Sequence, residues 1–275
     1  MCALVAFAGN SWLCRAALKS RSIDPVSFTA VRIASGAIVL ALLLLFRSRR
    51  LGAARLGGTL ASALALFAYA IAFSLAYLEL DAGVGALVLF GAVQLTMMAG
   101  GLLAGHRPTV FDGLGIVVAF SGLVLLVLPG ASAPDALAVL GMTGAGIAWG
   151  LYSLRGRRET SAALAVTAGN FARAVPLALA VVAVALVVSP LHASPLGLAL
   201  AGISGGVTSG VGYAIWYAAL PDLKAVQAGL VQLAVPVLTA LGGVLLLAER
   251  PSARLVVATA LVLGGIAAAL LQPSR

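Results

Sequence analysis

The chain has 275 residues, 62% of them hydrophobic and 9% charged, with a net charge of +9. A soluble domain carries roughly 25% charged residues, so this chain has too few to clothe a water-facing surface. Its basic residues fall in short clusters between apolar runs, such as "RSRR" at 47–50 and "RGRR" at 155–158, which is the pattern of membrane topology signals and not of a nucleic-acid-binding face.

Ten membrane helices are expected, over residues 2–18, 25–46, 57–78, 82–104, 111–129, 137–154, 162–188, 196–219, 223–247 and 253–271, giving an all-α integral membrane fold. The breaks carry charge or turn chemistry, as in "SRSIDP", "RSRRLGAAR", "GHRPT", "PGASAPD" and "SPLHASP". None is long enough for a soluble domain, so function resides within the bundle. In the first span Cys2 and Cys14 are about 18 Å apart along the helix, too far for a disulfide, and read as small apolar residues. No basic n-region or A-x-A-type site is present, so no removable signal peptide is expected. The first helix begins so close to Met1 that the chain reads as slightly truncated.

Polar and aromatic candidates follow in chain order. Span 1 offers Asn10, Ser11 and Trp12; span 2 carries Arg32; span 3 has Tyr69, with Tyr77 at its end. In span 4, Gln94 and Thr96 lie on different faces, and Thr96 is taken as the inward one because it matches Thr239 across the repeat described below. Span 6 holds Trp149, Tyr152 and Ser153, span 7 holds Arg173, and span 8 holds Tyr213, Trp216 and Tyr217. Gln232, Pro236 and Thr239 of span 9 share one face. Pro236 also releases the carbonyl near position 232, so the stripe can face water or solute and not lipid. Tyr77 and Tyr217 read as interface anchors, whereas Trp149 and Tyr213 lie deeper and suit a cavity wall; for each, lining and packing both stay open. "GISGGVTSG" spaces Gly202, Gly206 and Gly210 four apart, a ridge for static close packing or for sliding.

Shifting the chain by 143 residues lays "LVLFGAVQLTMMAGGLLAGHRP" (87–108) on "LVQLAVPVLTALGGVLLLAERP" (230–251), pairing Thr96 with Thr239, Arg107 with Arg250 and Pro108 with Pro251. Arg15 pairs with Arg155, and Arg32 with Arg173, at nearly the same shift. Two halves are therefore expected, residues 1–130 and 131–275, each of five spans. An odd number flips the second half against the first, the inverted-repeat build of many secondary transporters, with the solute site near the midplane. Loop charges favour both termini on the cytoplasmic side. Arg47, Arg49, Arg50, Arg55, Arg107, Arg155, Arg157, Arg158, Lys224 and Arg275 then face inward, against Lys19, Arg21, Arg250 and Arg254 outward.

An arginine near the centre of a membrane helix costs on the order of 3 kcal/mol on insertion scales, and all eight acids fall at span ends or in loops. Arg32, near the start of its span, either snorkels to the interface as a structural residue or contacts solute. Arg173, deeper, is either a structural clamp on backbone carbonyls or Asn170, or a receptor for a solute carboxylate. The lack of a mid-membrane carboxylate argues against proton-coupled export of cations. It favours a facilitator or otherwise coupled carrier of neutral, zwitterionic or anionic solutes. The candidate solute-contacting set is Asn10, Trp12, Tyr69, Thr96, Trp149, Tyr152, Arg173, Tyr213, Gln232 and Thr239. Neither HExxH, nor a Walker loop, nor G-x-S-x-G occurs, so no catalytic residue, metal or cofactor is expected.

"GNSWL", "DPVSFTAVRIASGAIVLALLL", "AWGLYSLRGR", "AGNFARAVPLALA" and "GYAIWYAALPDLKAVQAGLVQLAVPVLTALGGVLLLAERP" together resemble the EamA-type branch of the drug/metabolite transporter superfamily, over nearly the whole chain. The resemblance implies a ten-helix inverted-repeat carrier of a bacterial inner membrane, moving small metabolites such as amino acids, often outward. "AERP" stands where several members have "GEP", so no role passes to Glu249 by analogy. The implied partners are a small-molecule solute and membrane lipids, with no nucleic acid, in a monomer or homodimer. The alternatives are a multidrug efflux carrier and a non-transporting membrane scaffold or sensor.

Overall fold

A computed structural model of the chain describes residues 1–48, 56–105, 110–128, 134–159, 161–223, 228, 231–232 and 234–270. Eleven helices can be followed: α1 (Cys2–Lys19), α2 (Pro25–Ser48), α3 (Leu60–Ala76), α4 (Ala82–Leu103), α5 (Val110–Val127), α6 (Ala136–Gly156), α7 (Ala163–Val188), α8 (Pro195–Ile203), α9 (Gly212–Ala219), α10 (Ala234–Leu247) and α11 (Ala253–Leu270). A π-helical stretch, Ser204–Val211, joins α8 to α9 without a break. Their starts follow the local sequence. Thr59, Asp135 and Ser194 cap α3, α6 and α8 by accepting from Ser62, Ala138 and Gly197 N–H groups, and Pro195 sits at a first-turn position where its missing N–H costs nothing.

Among the described residues five helical stretches are long and apolar enough to cross a membrane: Pro25–Arg47, Ala82–Leu103, Ala136–Gly156, Ala163–Val188 and Pro195–Asp222. Leu60–Ala76, Ala234–Leu247 and Ala253–Gly265 are apolar but shorter. Polarity runs inside out. Phe46, Leu103 and Val187 point outward at 80%, 91% and 87% exposure, while Asn10, Arg32, Gln94, Asn170, Ser204, Ser209 and Gln232 are buried. Only a non-aqueous surround makes that distribution stable. This is a multi-pass membrane protein.

Helix α2 packs on α7, α5 on α11, α3 on α6, and α1 on the π stretch and α10. The connections sort into two ends. At one, Asp24 N–H donates to His192 O, Ser194 N–H donates to Ser22 O, and Ile23 bridges Ala193; Arg15 reaches Asp81 and Glu249; Arg254 donates to Leu128 O. Burial pushes the Asp24 carboxyl up, but the Ser27 and His192 N–H groups it accepts from outweigh that and leave it below the usual carboxylate range. At the other end Thr59 N–H donates to Asn170 Oδ1 and Arg157 to Leu223 O. Arg49, Arg50, Arg55, Arg107, Lys224 and Arg275, on which part of the charge count rests, lie outside the described residues.

Three expectations need correction. Tyr77 and Tyr217 do not lie in an interface; they are 0% and 3% exposed, their hydroxyls donating to Ala82 O and Tyr152 O, because both rings pack into the aromatic interior, edge-on to Phe73 and tilted against Tyr152. Gly202 has open space where a side chain would stand, so it is no part of a packing ridge. The close approach is made instead by Gly205, where a Cβ would collide with Ser35 Oγ and the Arg32 carbonyl. Gly205→Ala is accordingly expected to lower the thermal midpoint in detergent by the equivalent of about 1–3 kcal/mol, while Gly202→Ala leaves it within error. Equal melting of the two variants overturns this assignment of the contact.

Candidate functional site

The polar groups of the bundle interior converge on the π stretch. An i→i+5 turn brings Ser204, Thr208 and Ser209 onto one side, and all three hydroxyls donate to Asn10 Oδ1 of α1. Asn10 Nδ2 in turn donates to Tyr213 Oη at 3.1 Å. Arg32 of α2 enters the same cluster. Its Nε donates to Ser209 Oγ at 2.8 Å, and Nη2 donates to Tyr69 Oη at 2.8 Å and to Tyr213 Oη at 2.6 Å. The Tyr213 hydroxyl donates onward to Tyr69 Oη at 3.0 Å. The guanidinium carbon lies 5.1 Å from the Tyr69 ring centre and 5.0 Å from that of Phe73.

Aromatic rings surround this knot. Phe7, Tyr69, Phe90, Trp149 and Tyr213 bracket a hollow of about 10 Å³, room for roughly one water. Phe7 meets Trp149 and Tyr213 edge-on at 5.2 and 5.7 Å, the arrangement favoured by opposed ring quadrupoles. Trp149 Nε1 donates to Gln232 Oε1 at 2.9 Å, and Gln232 Nε2 turns to Ala228 O. Rings and polar groups from α1, α2, α3, α6, α9 and the segment before α10 thus meet in one place.

Of the candidate residues, Asn10, Tyr69, Trp149, Tyr213 and Gln232 come together here. Tyr152 joins at the edge, its ring 5.4 Å from Trp149 and its hydroxyl accepting from Asn170 Nδ2 at 3.4 Å. The others stand apart. Trp12 packs over Gly242 and donates to Thr239 O at 3.0 Å, so Trp12 and Thr239 belong to the α1–α10 contact. Thr96 meets α6 at Gly150 and donates to its own helix at Ala92 O. Arg173 is half-buried, donating through Nη1 to Gly57 O and Gly169 O at 2.7 and 2.9 Å, which is the geometry of a backbone clamp and not of Asn170 pairing.

Arg32 departs furthest from expectation. It does not snorkel: it is 1% exposed, because the Tyr69 and Tyr213 hydroxyls and Ser209 hold its head inside the bundle. Gln94 is another surprise, 1% exposed with both amide atoms unpartnered, one helical turn from Phe90. The π-stretch hydroxyls and Phe7 were not singled out in the sequence. The signal was present in "SGGVTSG", where small polar residues recur at four and five instead of at three and four.

A family model described as the EamA-like transporter family matches residues 1–128 and again 136–271. An uncharacterized protein of Pseudomonas aeruginosa is 54% identical over 265 residues, covering 96% of this chain and 91% of that one. A solved crystal structure is similar in fold, with a TM-score of 0.68 at 21% identity over 98% of both chains. With a match in each half and nearly the whole chain covered, the protein belongs to the EamA-like transporter family.

Proposed function

We propose that the chain is a secondary carrier of the bacterial inner membrane, exporting a small neutral, zwitterionic or anionic metabolite by alternating access between two inverted five-helix halves, residues 1–130 and 131–275. The observation that carries this reading is the buried Asn10–Arg32–Tyr69–Ser209–Tyr213 cluster beside an aromatic hollow. A polar cluster of this kind is costly in a static bundle, and it stands where helices from both halves meet. The packing supports the repeat: α3 on α6 has its counterpart in α1 on the π stretch and α9, and α2 on the π stretch has its counterpart in α7 on α3. Arg254 draws the α5–α6 connection to the end where α1 finishes, so α6 starts where α1 stops, as inversion requires. The cluster holds no carboxylate among the described residues, which disfavours drug–proton exchange. Purified protein in proteoliposomes is expected to give saturable counterflow of at least one solute from a panel of organic acids, amino acids, sugars and nucleosides. Absence of flux for the whole panel, with folded protein inserted, favours a scaffold.

A further inference from the structure

Arg32 is a buried cation without a counter-ion among the described residues. Among the described residues both ion pairs belong to Arg15, and the partners of Arg32 are three neutral hydroxyls. Its Nη1 has no acceptor among the described residues, a rare condition for a buried charged donor. The groups that wrap the guanidinium, Tyr69, Phe73 and Tyr213, also line the aromatic hollow. The charge therefore sits directly behind one wall of that hollow.

Among the described residues the cluster offers an ammonium no carboxylate. Asn10 Oδ1 is already occupied by three hydroxyl protons. The ring faces of Tyr69 and Phe73, which would otherwise attract a cation, are turned to Arg32, about 5 Å from each ring centre, and its charge repels a second cation placed behind those rings. A carboxylate meets the opposite conditions: a full positive charge with the Nη1 donors unspent, and hydroxyls able to turn and donate.

We infer that the central site takes a monocarboxylate with an aromatic or bulky apolar body and no free ammonium group, the carboxylate on Arg32 and the body among Phe7, Phe90 and Trp149. The inference rests on the carrier reading above and narrows its solute class. In the present state the hollow admits about one water, so the solute enters as the rings part.

The test uses one ring and three charge states: 3-phenylpropionate, phenylalanine and phenethylamine, on the full-length protein. 3-Phenylpropionate is expected to raise the thermal midpoint and to show saturable counterflow, with phenylalanine needing at least tenfold higher concentration and phenethylamine inert. Equal response to phenylalanine, phenethylamine or potassium chloride overturns the inference, as does no response to 3-phenylpropionate. If another solute of the panel counterflows while 3-phenylpropionate does not, the inference falls and the carrier stands; if none does, the carrier reading falls. Two variants locate the site. Arg32→Met leaves the Ser209 and Tyr213 hydroxyls their acceptors, Asn10 and Tyr69, and is expected to fold yet lose the response. Asn10→Asp keeps the shared acceptor and sets a carboxylate one hydroxyl away from Arg32, supplying the counter-ion from within; it too is expected to weaken 3-phenylpropionate at least tenfold. A wild-type response in Asn10→Asp overturns the assignment even if Arg32→Met does not fold.

Discussion

Arg15→Met is expected to lower the thermal midpoint by about 10 °C, with a deficit that grows as pH rises from 5 to 8. Arg15 ties the two halves together at one end. Its Nε donates to Glu249 Oε1 at 3.2 Å, Nη1 to the Tyr77 and Leu78 carbonyls at 3.0 and 2.9 Å, and Nη2 to Asp81 Oδ1 at 3.0 Å. The two carboxylates differ in weight. The Asp81 side chain is 51% exposed, so its pairing is screened and contributes little. The Glu249 side chain is only 7% exposed, and removing its partner leaves a buried charge, which costs on the order of 3–5 kcal/mol, or roughly 10 °C for a chain of this size.

The pH dependence follows from Glu249. Burial holds its carboxyl above the usual range, although the Ala82 N–H and Arg15 favour the ionised form. Without Arg15 that elevation grows. A carboxyl raised in the folded state loses stability as pH climbs above its unfolded value near 4.3, so the variant suffers most at pH 8 and least at pH 5. Glu249→Gln added to Arg15→Met is expected to recover much of the loss at pH 8. A deficit independent of pH, or no recovery in the double variant, counts against Glu249 as the stranded charge.

Sequence and structure agree where a rule depends on one helix alone. The apolar length of α2, α4, α6 and α7 and the inward stripe of Gln232 and Thr239 follow from local pattern. What escaped it depends on which neighbour arrives. Arg32 and Arg173 occupy matching repeat positions, yet one is sealed among three hydroxyls and the other lies half-buried on two carbonyls. Arg15 and Arg155 split in the same way, the first bound to two acids and the second exposed. Depth along a span decided neither pair. The repeat mate of Thr96 favours it over Gln94 as the inward residue, but the repeat copies backbone, and Gly150 brings α6 against Thr96 while Gln94 turns inside. Tyr77 and Tyr217 likewise sit near helix ends that turn out to be covered.

Asn10→Leu is the complementary case, a variant expected to fail in folding rather than in solute choice. Leucine matches asparagine roughly in length but offers no acceptor. Thr208 can turn its proton to Ser204 O, 3.0 Å away, whereas Ser204 and Ser209 lose the one acceptor they have among the described residues, in a fully buried place. At about 1–3 kcal/mol for each unmet group, the loss is of order 2–6 kcal/mol, and it falls on the stretch whose i→i+5 turn depends on those bonds. The π turn is expected to relax toward α-helix, shifting Tyr213 away from Arg32. Asn10→Leu should therefore melt about 10 °C lower than wild type, whereas Asn10→Asp, which keeps the acceptor, melts within a few degrees of it. Similar melting of all three proteins would show that the hydroxyl fan around residue 10 is not what sets the π turn.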